Sequence, residues 1–205
     1  MSGPRFRLSR IFTAAWISLV PLAGFANAEP VPLPTIDYEA KAKLLNEGTL
    51  FVRHSNGKMR IEVQLPHIAE PVVGFIDLNR KKMVLMLPIP GVQNTAMEVD
   101  FGNEAIFGQV LGEGQPRGND VVAGERCTIW KIVAHDNDNR AVACITGDSI
   151  ALRTQATVDG KTRTVFEVTE LKRQPQNPAD LEVPANVRTM KLPKGFKGIP
   201  GFPPL

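Results

Sequence analysis

The segment KMRIEVQL, residues 58–65, constrains the fold more than any other part of the chain. Apolar and polar side chains alternate along it, with the apolar ones at Met59, Ile61, Val63 and Leu65. Because successive side chains of a β-strand point to opposite faces, this period of two predicts a strand with one buried face and one wet face. The turn formers SNG at 55–57 predict a hairpin with a preceding strand at 49–54.

Much of the remaining chain carries strand signals as well. The other predicted strands are 38–44, 72–78, 82–87, 94–101, 127–134, 140–146, 150–158 and 161–171. The first of these also fits helical spacing. The strands at 72–78 and 82–87 are apolar on successive residues, which indicates that both of their faces are covered.

Two segments interrupt this pattern. Glu104–Leu111 is predicted as a short helix, because Asn103 can cap it and its apolar residues form a stripe. GEGQPRGND at 112–120 is predicted as a loop. The whole pattern predicts a mainly β (α+β) fold, a single curved antiparallel sheet with a short helix or lid over one face.

The amino terminus has the three parts of a secretory signal peptide. Three arginines precede a mostly apolar run from Ile11 to Phe25, and the small residues Ala26, Asn27 and Ala28 follow it. The run is about fifteen residues long, whereas about twenty are needed to span a bilayer. We therefore expect cleavage after Ala28, with an uncleaved anchor as the alternative. Phe25 stands where a lipidation box needs a cysteine, so a periplasmic protein without a lipid anchor or a transmembrane segment is predicted.

The charge of the chain belongs to this leader. Residues 1–28 hold three arginines and no acidic residue, so their removal leaves 21 Lys+Arg against 21 Asp+Glu. Binding of nucleic acid or of an anionic membrane needs a positive field, which a near-neutral chain lacks overall. Neither partner is predicted, and the 177 residues that remain fit one domain.

The only two cysteines, Cys127 and Cys144, lie in the two strands of a predicted hairpin. Its loop is HDNDN at 135–139, which is rich in residues that favour turns. Folding at this loop brings the cysteines to roughly facing positions, and export makes their oxidation plausible. We expect a disulfide here, with two buried free thiols as the alternative.

Three groups of segments occur in a fairly specific order across residues 36–190. They are GKMRIEVQLP with GFIDLNRKKMVLMLP, then VAGERCTIWKI with ACITGDSIALR, and finally LKRQPQNPADLEVPANVRTM. In this order they resemble periplasmic domains of unknown function that have the LolA/LolB-like fold of the outer-membrane lipoprotein carriers. The resemblance implies an unclosed half-barrel with a helical lid over an apolar cavity, which receives lipid acyl chains in the carriers. Those carriers contain more helix than this sequence predicts.

Apolar strand residues are the main candidates for a binding site. Ten of them are predicted to line one side of the curved sheet: Met59, Ile61, Val63, Val73, Phe75, Met83, Leu85, Leu87, Trp130 and Phe166. The ligand that the resemblance implies is an acyl chain or a lipoprotein, and methionine adapts well to flexible chains. A dry packed core is the alternative for these positions.

The tail at 191–205 is rich in proline and glycine. Its apolar residues recur every three positions, at Phe196, Ile199, Phe202 and Leu205. A polyproline II helix has three residues per turn, so these side chains would share one face and contact an envelope partner or the protein's own cavity. A disordered terminus is the alternative.

Catalytic and metal-binding patterns are weak. Ser149 lies in GDSI, which resembles the nucleophile block of GDSL-type hydrolases. In those enzymes the serine needs a histidine base that lies towards the carboxyl terminus. The three histidines of this chain, His54, His67 and His135, all precede Ser149. His135, Asp136 and Asp138 lack the glycine that a calcium loop needs at its sixth position, which is Ala141 here. We predict no enzyme, no cofactor and no metal. The predicted function is a carrier module for a hydrophobic ligand, and the alternative is a protein-interaction module that uses the tail or a sheet edge.

Overall fold

The computed structural model describes residues 28–45, 47–66, 68–88, 94–100, 105–106, 109–110, 112–133, 141–158 and 160–191. The strands are β1 (Glu29–Pro30), β2 (Tyr38–Leu44), β3 (Thr49–Ser55), β4 (Lys58–Gln64), β5 (Val72–Asp77), β6 (Lys82–Met86), β7 (Thr95–Asp100), β8 (Ala105–Ile106), β9 (Gln109–Val110), β10 (Glu113–Val122), β11 (Glu125–Val133), β12 (Ala141–Thr146), β13 (Ala151–Val158), β14 (Lys161–Lys172) and β15 (Arg188–Lys191). A 3-10 helix spans Pro178–Leu181. No helix in these ranges is long and apolar enough to cross a bilayer.

Thirteen of the strands form one sheet in the order β1-β10-β11-β12-β13-β14-β2-β3-β4-β5-β6-β7-β15, while β8 and β9 pair separately. Every neighbouring pair in the sheet is antiparallel except β15 with β7, which is parallel. β1 and β15 end the sheet on opposite sides and do not pair with each other, so the sheet is not closed. The predicted unclosed, mainly β architecture is confirmed.

The half of the sheet from β10 to β14 is strongly curled. Cα atoms of β10 lie within 8 Å of Cα atoms of β14, although three strands separate them in the sheet. In a flat sheet four strand spacings would put them about 19 Å apart. An ion pair reinforces the curl, because Arg153 on β13 reaches Asp120 on β10.

Alternation along β2 to β7 gives this part of the sheet one buried face, here called the inner face. Val52, Ile61 and Gly74 are directly opposite one another on β3, β4 and β5, and Leu85 on β6 continues the row. The larger apolar cluster of the protein combines this face with residues of β10 to β14, and Leu33 and Ile36 pack against it. The segment 31–37 that carries them joins β1 at the sheet edge to β2 in the middle.

Two predictions about secondary structure are wrong. The described residues of Glu104–Leu111 form the β8–β9 pair rather than a helix. Eight residues are barely two helical turns, too few to be stable without packing, and Gly108 lowers the helical propensity further. The stretch 112–120, predicted as a loop, lies mostly in β10, where the pairing with β11 is interrupted between Pro116 and Gly118.

The only helical turn within the described residues is the 3-10 helix after β14. The Asn177 side chain accepts a hydrogen bond from the Ala179 N–H and caps it, and Leu181 is buried. The helix lies close to β3 and β4, and Lys58 on β4 forms an ion pair with Glu182. This turn is far from Glu104–Leu111 in sequence, so the short helix predicted there has no counterpart among the described residues.

Candidate binding surfaces

Eight of the ten predicted cavity residues belong to the apolar interior. Six of them are buried in the larger cluster: Met59, Ile61, Val63, Met83, Leu85 and Phe166. Leu87 packs against this cluster. Trp130 belongs to a second cluster, which also contains Val31, Ala143, Ile145 and Ala151. The structure thus brings most of these side chains together and assigns Trp130 to a separate group.

Val73 and Phe75 are not on the inner face. They are opposite Glu62 and Arg60 on β4, and the Arg60 guanidinium carbon lies 5.7 Å from the centroid of the Phe75 ring. Since neighbours along a strand point to opposite faces, residues 73 and 75 cannot share the face of Val72 and Gly74. The prediction that all ten residues line one side of the sheet is wrong for these two.

The centre of the inner face is closely packed. Met59, Ile61, Val63, Met83 and Leu85 are between 0 and 1% exposed. A Cβ atom added at Gly74 would lie 2.7 Å from Ile61 Cγ1 and 2.8 Å from its Cδ1. Such contacts leave no space for another methyl group, as is usual in a protein interior.

The predicted disulfide between Cys127 and Cys144 is confirmed, with Cα atoms 5.4 Å apart. The two residues lie on the adjacent strands β11 and β12, but Cys144 is opposite Ile129 rather than Cys127. The bond therefore joins diagonal positions, which accommodates the offset expected from the hairpin. Both cysteines are buried in the larger cluster.

An ion-pair network connects the turns at the disulfide end of the sheet. Arg173, just after β14, binds Glu125 through two hydrogen bonds of 2.9 and 3.0 Å and donates through Nε to Asp148 at 2.6 Å. The hydrogen bonds that Arg173 donates to these two carboxylates raise its pKa. Because Glu125 begins β11 and Asp148 lies in the β12–β13 turn, the arginine connects three parts of the chain. The guanidinium group and both carboxylates have hydrogen-bond partners within the network, which is typical of a structural role.

Ser149 lies in that same tight turn. Its φ is 71°, its N–H donates to the Thr146 carbonyl at 2.9 Å, and it is buried. Thr146 holds the turn from the other side, because its hydroxyl accepts the Ile150 N–H at 2.9 Å. These contacts are those of a turn residue.

His54 is a buried polar residue whose role the sequence did not reveal. Its Nδ1 lies 2.8 Å from the Ile36 carbonyl, and its Nε2 accepts the Gly57 N–H at 3.1 Å. A ring that donates from Nδ1 and accepts at Nε2 is neutral. Burial lowers the pKa of His54, although the Ile36 hydrogen bond and Asp37 oppose the shift. His54 thus fastens segment 31–37 to the turn between β3 and β4.

Several predicted features fall outside the described residues. They are most of the leader, His67, the loop residues His135, Asp136 and Asp138, and the tail residues Phe196, Ile199, Phe202 and Leu205. Within the described ranges no group of three or more His, Cys, Asp or Glu side chains is arranged to hold a metal ion.

The two edges of the sheet differ in how they are protected. At one edge β1 covers only Glu113 and Gly114 of β10. The next part of β10 contains Pro116 and a bulge at Arg117, two features that hinder the addition of a further strand. At the other edge β15 contains no proline, and all four of its residues are exposed.

The outer side of β15 has no strand partner among the residues that the structure describes. The Arg188 N–H donates to the Asn94 carbonyl at 2.8 Å, towards β7. Backbone groups alternate in direction along a strand, so Thr189 and Lys191 direct their N–H and C=O groups away from β7. No further strand follows β15 in the sheet formed by the described residues.

A row of apolar residues runs from the protein interior to this edge. Each residue is directly opposite the next, in the order Ile61, Gly74, Leu85, Met97 and Met190. Exposure rises along it from 0% at Ile61 to 57% at Met190. The inner face therefore ends in an accessible apolar side chain.

Comparison with known proteins yields structural likeness only. No family description and no curated protein match the sequence. Among solved structures, MucB is 14% identical over 78% of this chain and 63% of its own, with a TM-score of 0.47. The complex of MucA and MucB from Pseudomonas aeruginosa is 12% identical over 76% of this chain and 58% of its own, with a TM-score of 0.44. A structure of PNGF-II is 12% identical over 77% of this chain and 31% of its own, with a TM-score of 0.51.

The chain spans less than two thirds of each of these structures. At such low identity the likeness to PNGF-II concerns the fold alone. The LolA/LolB resemblance stays a prediction.

Proposed function

We propose that this protein is a noncatalytic binding module of the cell envelope that holds another protein at the open edge of its sheet. The observation that carries the proposal is the state of β15, whose four residues are all exposed and which no further strand follows among the described residues. An extended segment that adds to such an edge gains main-chain hydrogen bonds, and side-chain positions on alternate faces supply specificity.

The envelope location rests on the amino-terminal sequence. The leader pattern of residues 1–28 is that of exported chains, and a disulfide such as Cys127–Cys144 persists in oxidising compartments. Both features support a periplasmic site of action. The absence of a lipidation cysteine supports a protein without its own lipid anchor.

A second candidate is the sheltering of an acyl chain or a lipoprotein against the inner face. It is supported by the extent of that face and by Met59 and Met83 on it, since methionine repacks easily around flexible ligands. Side chains that are 0 to 1% exposed must then separate before a ligand enters. The carrier function therefore requires an opening of the sheet, whereas edge binding requires none.

The substitution Thr189→Pro tests edge binding directly. It removes one outward N–H while leaving the Arg188 hydrogen bond to β7 intact, and proline is tolerated at edge positions of this kind. Thr189→Val is the matched control, because it keeps the N–H and suits a strand. Circular dichroism and urea unfolding establish that both variants fold.

The assay is selection of peptides from an unbiased display library on the purified protein. We expect peptides that bind the wild type and Thr189→Val alike and lose binding to Thr189→Pro. Truncation after Lys191 separates the edge from the tail, and binding should survive it. A library whose selected peptides bind Thr189→Pro as well as the wild type would refute edge binding.

The carrier function has its own readout. Mass spectrometry of gently purified protein and uptake of a fluorescent fatty acid would detect a hydrophobic ligand. Uptake that is unchanged by Thr189→Pro, together with no edge-dependent peptide, would replace the first proposal with the second.

A further inference from the structure

We infer that the segment docking on β15 is an extended peptide in which acidic residues flank an apolar residue. This inference rests on the proposed edge binding and adds the chemistry of the partner. It follows from three features of the strand: its charges, its exposed methionine and the direction of its backbone groups.

The charges of β15 are basic and lie near its two ends. Arg188 forms no ion pair within the described part of the chain. Lys191 is opposite Glu98 on β7, but Glu98 already binds Lys82 at 2.9 Å. Lys191 and Lys82 both act on Glu98 and thus share one acidic partner, so a carboxylate brought alongside Lys191 or Arg188 would meet a positive charge that is at most partly neutralised.

Met190 supplies the apolar contact between these charges. It is the last member of the row that begins at Ile61, and it is 57% exposed. A further strand would put one of its side chains directly opposite Met190, about 5 Å away between Cβ atoms. An apolar side chain in that position would extend the row and cover the methionine.

The order of residues in the partner follows from strand geometry. Facing residues of an antiparallel pair share a face, and such pairing is slightly more stable than parallel pairing. Read from its amino end, the partner would face Lys191, Met190, Thr189 and Arg188 in turn. The expected sequence is therefore acidic, apolar, any residue, acidic.

A second copy of the chain fits this edge poorly. Residues directly opposite each other in an antiparallel pair both direct their backbone groups towards the partner strand or both direct them away from it, so a two-fold pair of β15 strands would put Thr189 opposite Thr189 or opposite Lys191. In either arrangement the pair would bring four basic residues together, and β15 supplies no acidic residue to neutralise them. The same charges that repel a second copy would attract an acidic segment.

The experiment uses fluorescein-labelled peptides and the purified protein in fluorescence anisotropy. One peptide has the central sequence Glu-Leu-Thr-Glu, and its control has Lys-Leu-Thr-Lys. We expect the acidic peptide to bind at least roughly tenfold more tightly at low salt, because two attractive pairs become two repulsive ones. The double variant Arg188→Glu with Lys191→Glu should reverse this preference.

The controls separate this inference from the proposal beneath it. Thr189→Pro should abolish binding of the acidic peptide and Thr189→Val should retain it. Equal affinity for both peptides, with binding still lost in Thr189→Pro, would overturn the acidic partner and leave edge binding intact. Failure of both peptides to bind, while library peptides bind at the edge, would overturn it as well. A Thr189-dependent dimer in analytical ultracentrifugation would identify a second copy as the occupant instead.

Discussion

A single added methyl group at Gly74 tests whether the inner face is closed. Gly74 lies on β5 between Ile61 and Leu85, and a Cβ atom there would approach Ile61 Cγ1 to 2.7 Å. Real Cβ atoms do not come that close, so Ile61 would have to move. Ile61 has no exposed surface, and its neighbours in the row would have to move with it.

The expected cost can be estimated from these contacts. Overpacking a filled core costs about 1–3 kcal/mol. Replacing a strand glycine by alanine recovers about 0.5–1 kcal/mol of backbone entropy. We therefore expect Gly74→Ala to lower the free energy of unfolding by up to about 2.5 kcal/mol, with about 1 kcal/mol as the central value, which is a large share of the total for an ordinary domain.

Gly118→Ala is the matched control. Gly118 also lies in a strand, but nothing is within 4 Å of the position where its Cβ would be. This substitution should be neutral or stabilise the protein by about 0.4–1 kcal/mol. Urea unfolding, followed by far-ultraviolet circular dichroism and tryptophan fluorescence, measures both variants.

A double-mutant cycle identifies the atom responsible for the cost. Ile61→Ala removes Cγ1 and Cδ1 and should cost about 2–5 kcal/mol alone. Combined with Gly74→Ala, the total should fall short of the sum by at least about 0.5 kcal/mol, because the new methyl group then has space. Strict additivity, or a Gly74→Ala variant as stable as Gly118→Ala, would refute the closed packing and strengthen the carrier function.

Three further predictions concern groups away from the inner face. Cys127→Ser with Cys144→Ser should lower the free energy of unfolding by about 3 kcal/mol under oxidising conditions, as urea unfolding with and without reductant would measure. Burial lowers the pKa of His54, so the unfolded chain takes up the proton first and stability should fall as the pH drops below about 6.5. His54→Gln should flatten that part of the stability profile relative to the wild type. Hydrogen bonds from Lys172 and Lys41 lower the pKa of Glu170 to about 2, and Lys172→Gln should raise it in a carboxyl NMR titration.

The sequence predicts the sheet well where one face is buried and the other is wet. The alternation at 58–65 corresponds to β4, and the turn formers before it correspond to the hairpin with β3. The disulfide was predictable too, because one short loop lies between two strands that each carry a cysteine. In each case local pattern and tertiary packing favour the same structure.

Strands at or near the sheet edges are hard to predict because most of their residues are exposed, so their sequences lack the alternation of apolar and polar residues that a buried face requires. β10 contains Gly114, Pro116 and Gly118, which are typical of loops, yet pairing with β11 makes it a strand of ten residues. All four residues of β15 are exposed, so no alternation marks it. Sheet context outweighs intrinsic preference at such positions.

The candidate site was only partly predictable for a related reason. β5 is apolar on successive residues, which hides which of its residues face the interior, and Val73 and Phe75 were assigned to the wrong face. The buried His54 carries no sequence signal either, since its two partners are backbone groups. Only the register of the strands resolves both points.

The contrast between the two edges bears most directly on function. Lysine and arginine commonly protect exposed edges from other strands, so the charges of β15 could serve this protection alone. Protection by charge differs, however, from the protection of β10 by Pro116 and a bulge. A proline or a bulge excludes every strand, whereas Arg188 and Lys191 exclude only strands that are not acidic. If the charges of Arg188 and Lys191 only protect β15 from other strands, neutralising both would increase nonspecific association of the protein. If β15 is a binding edge, the same change would remove the binding of a specific acidic segment.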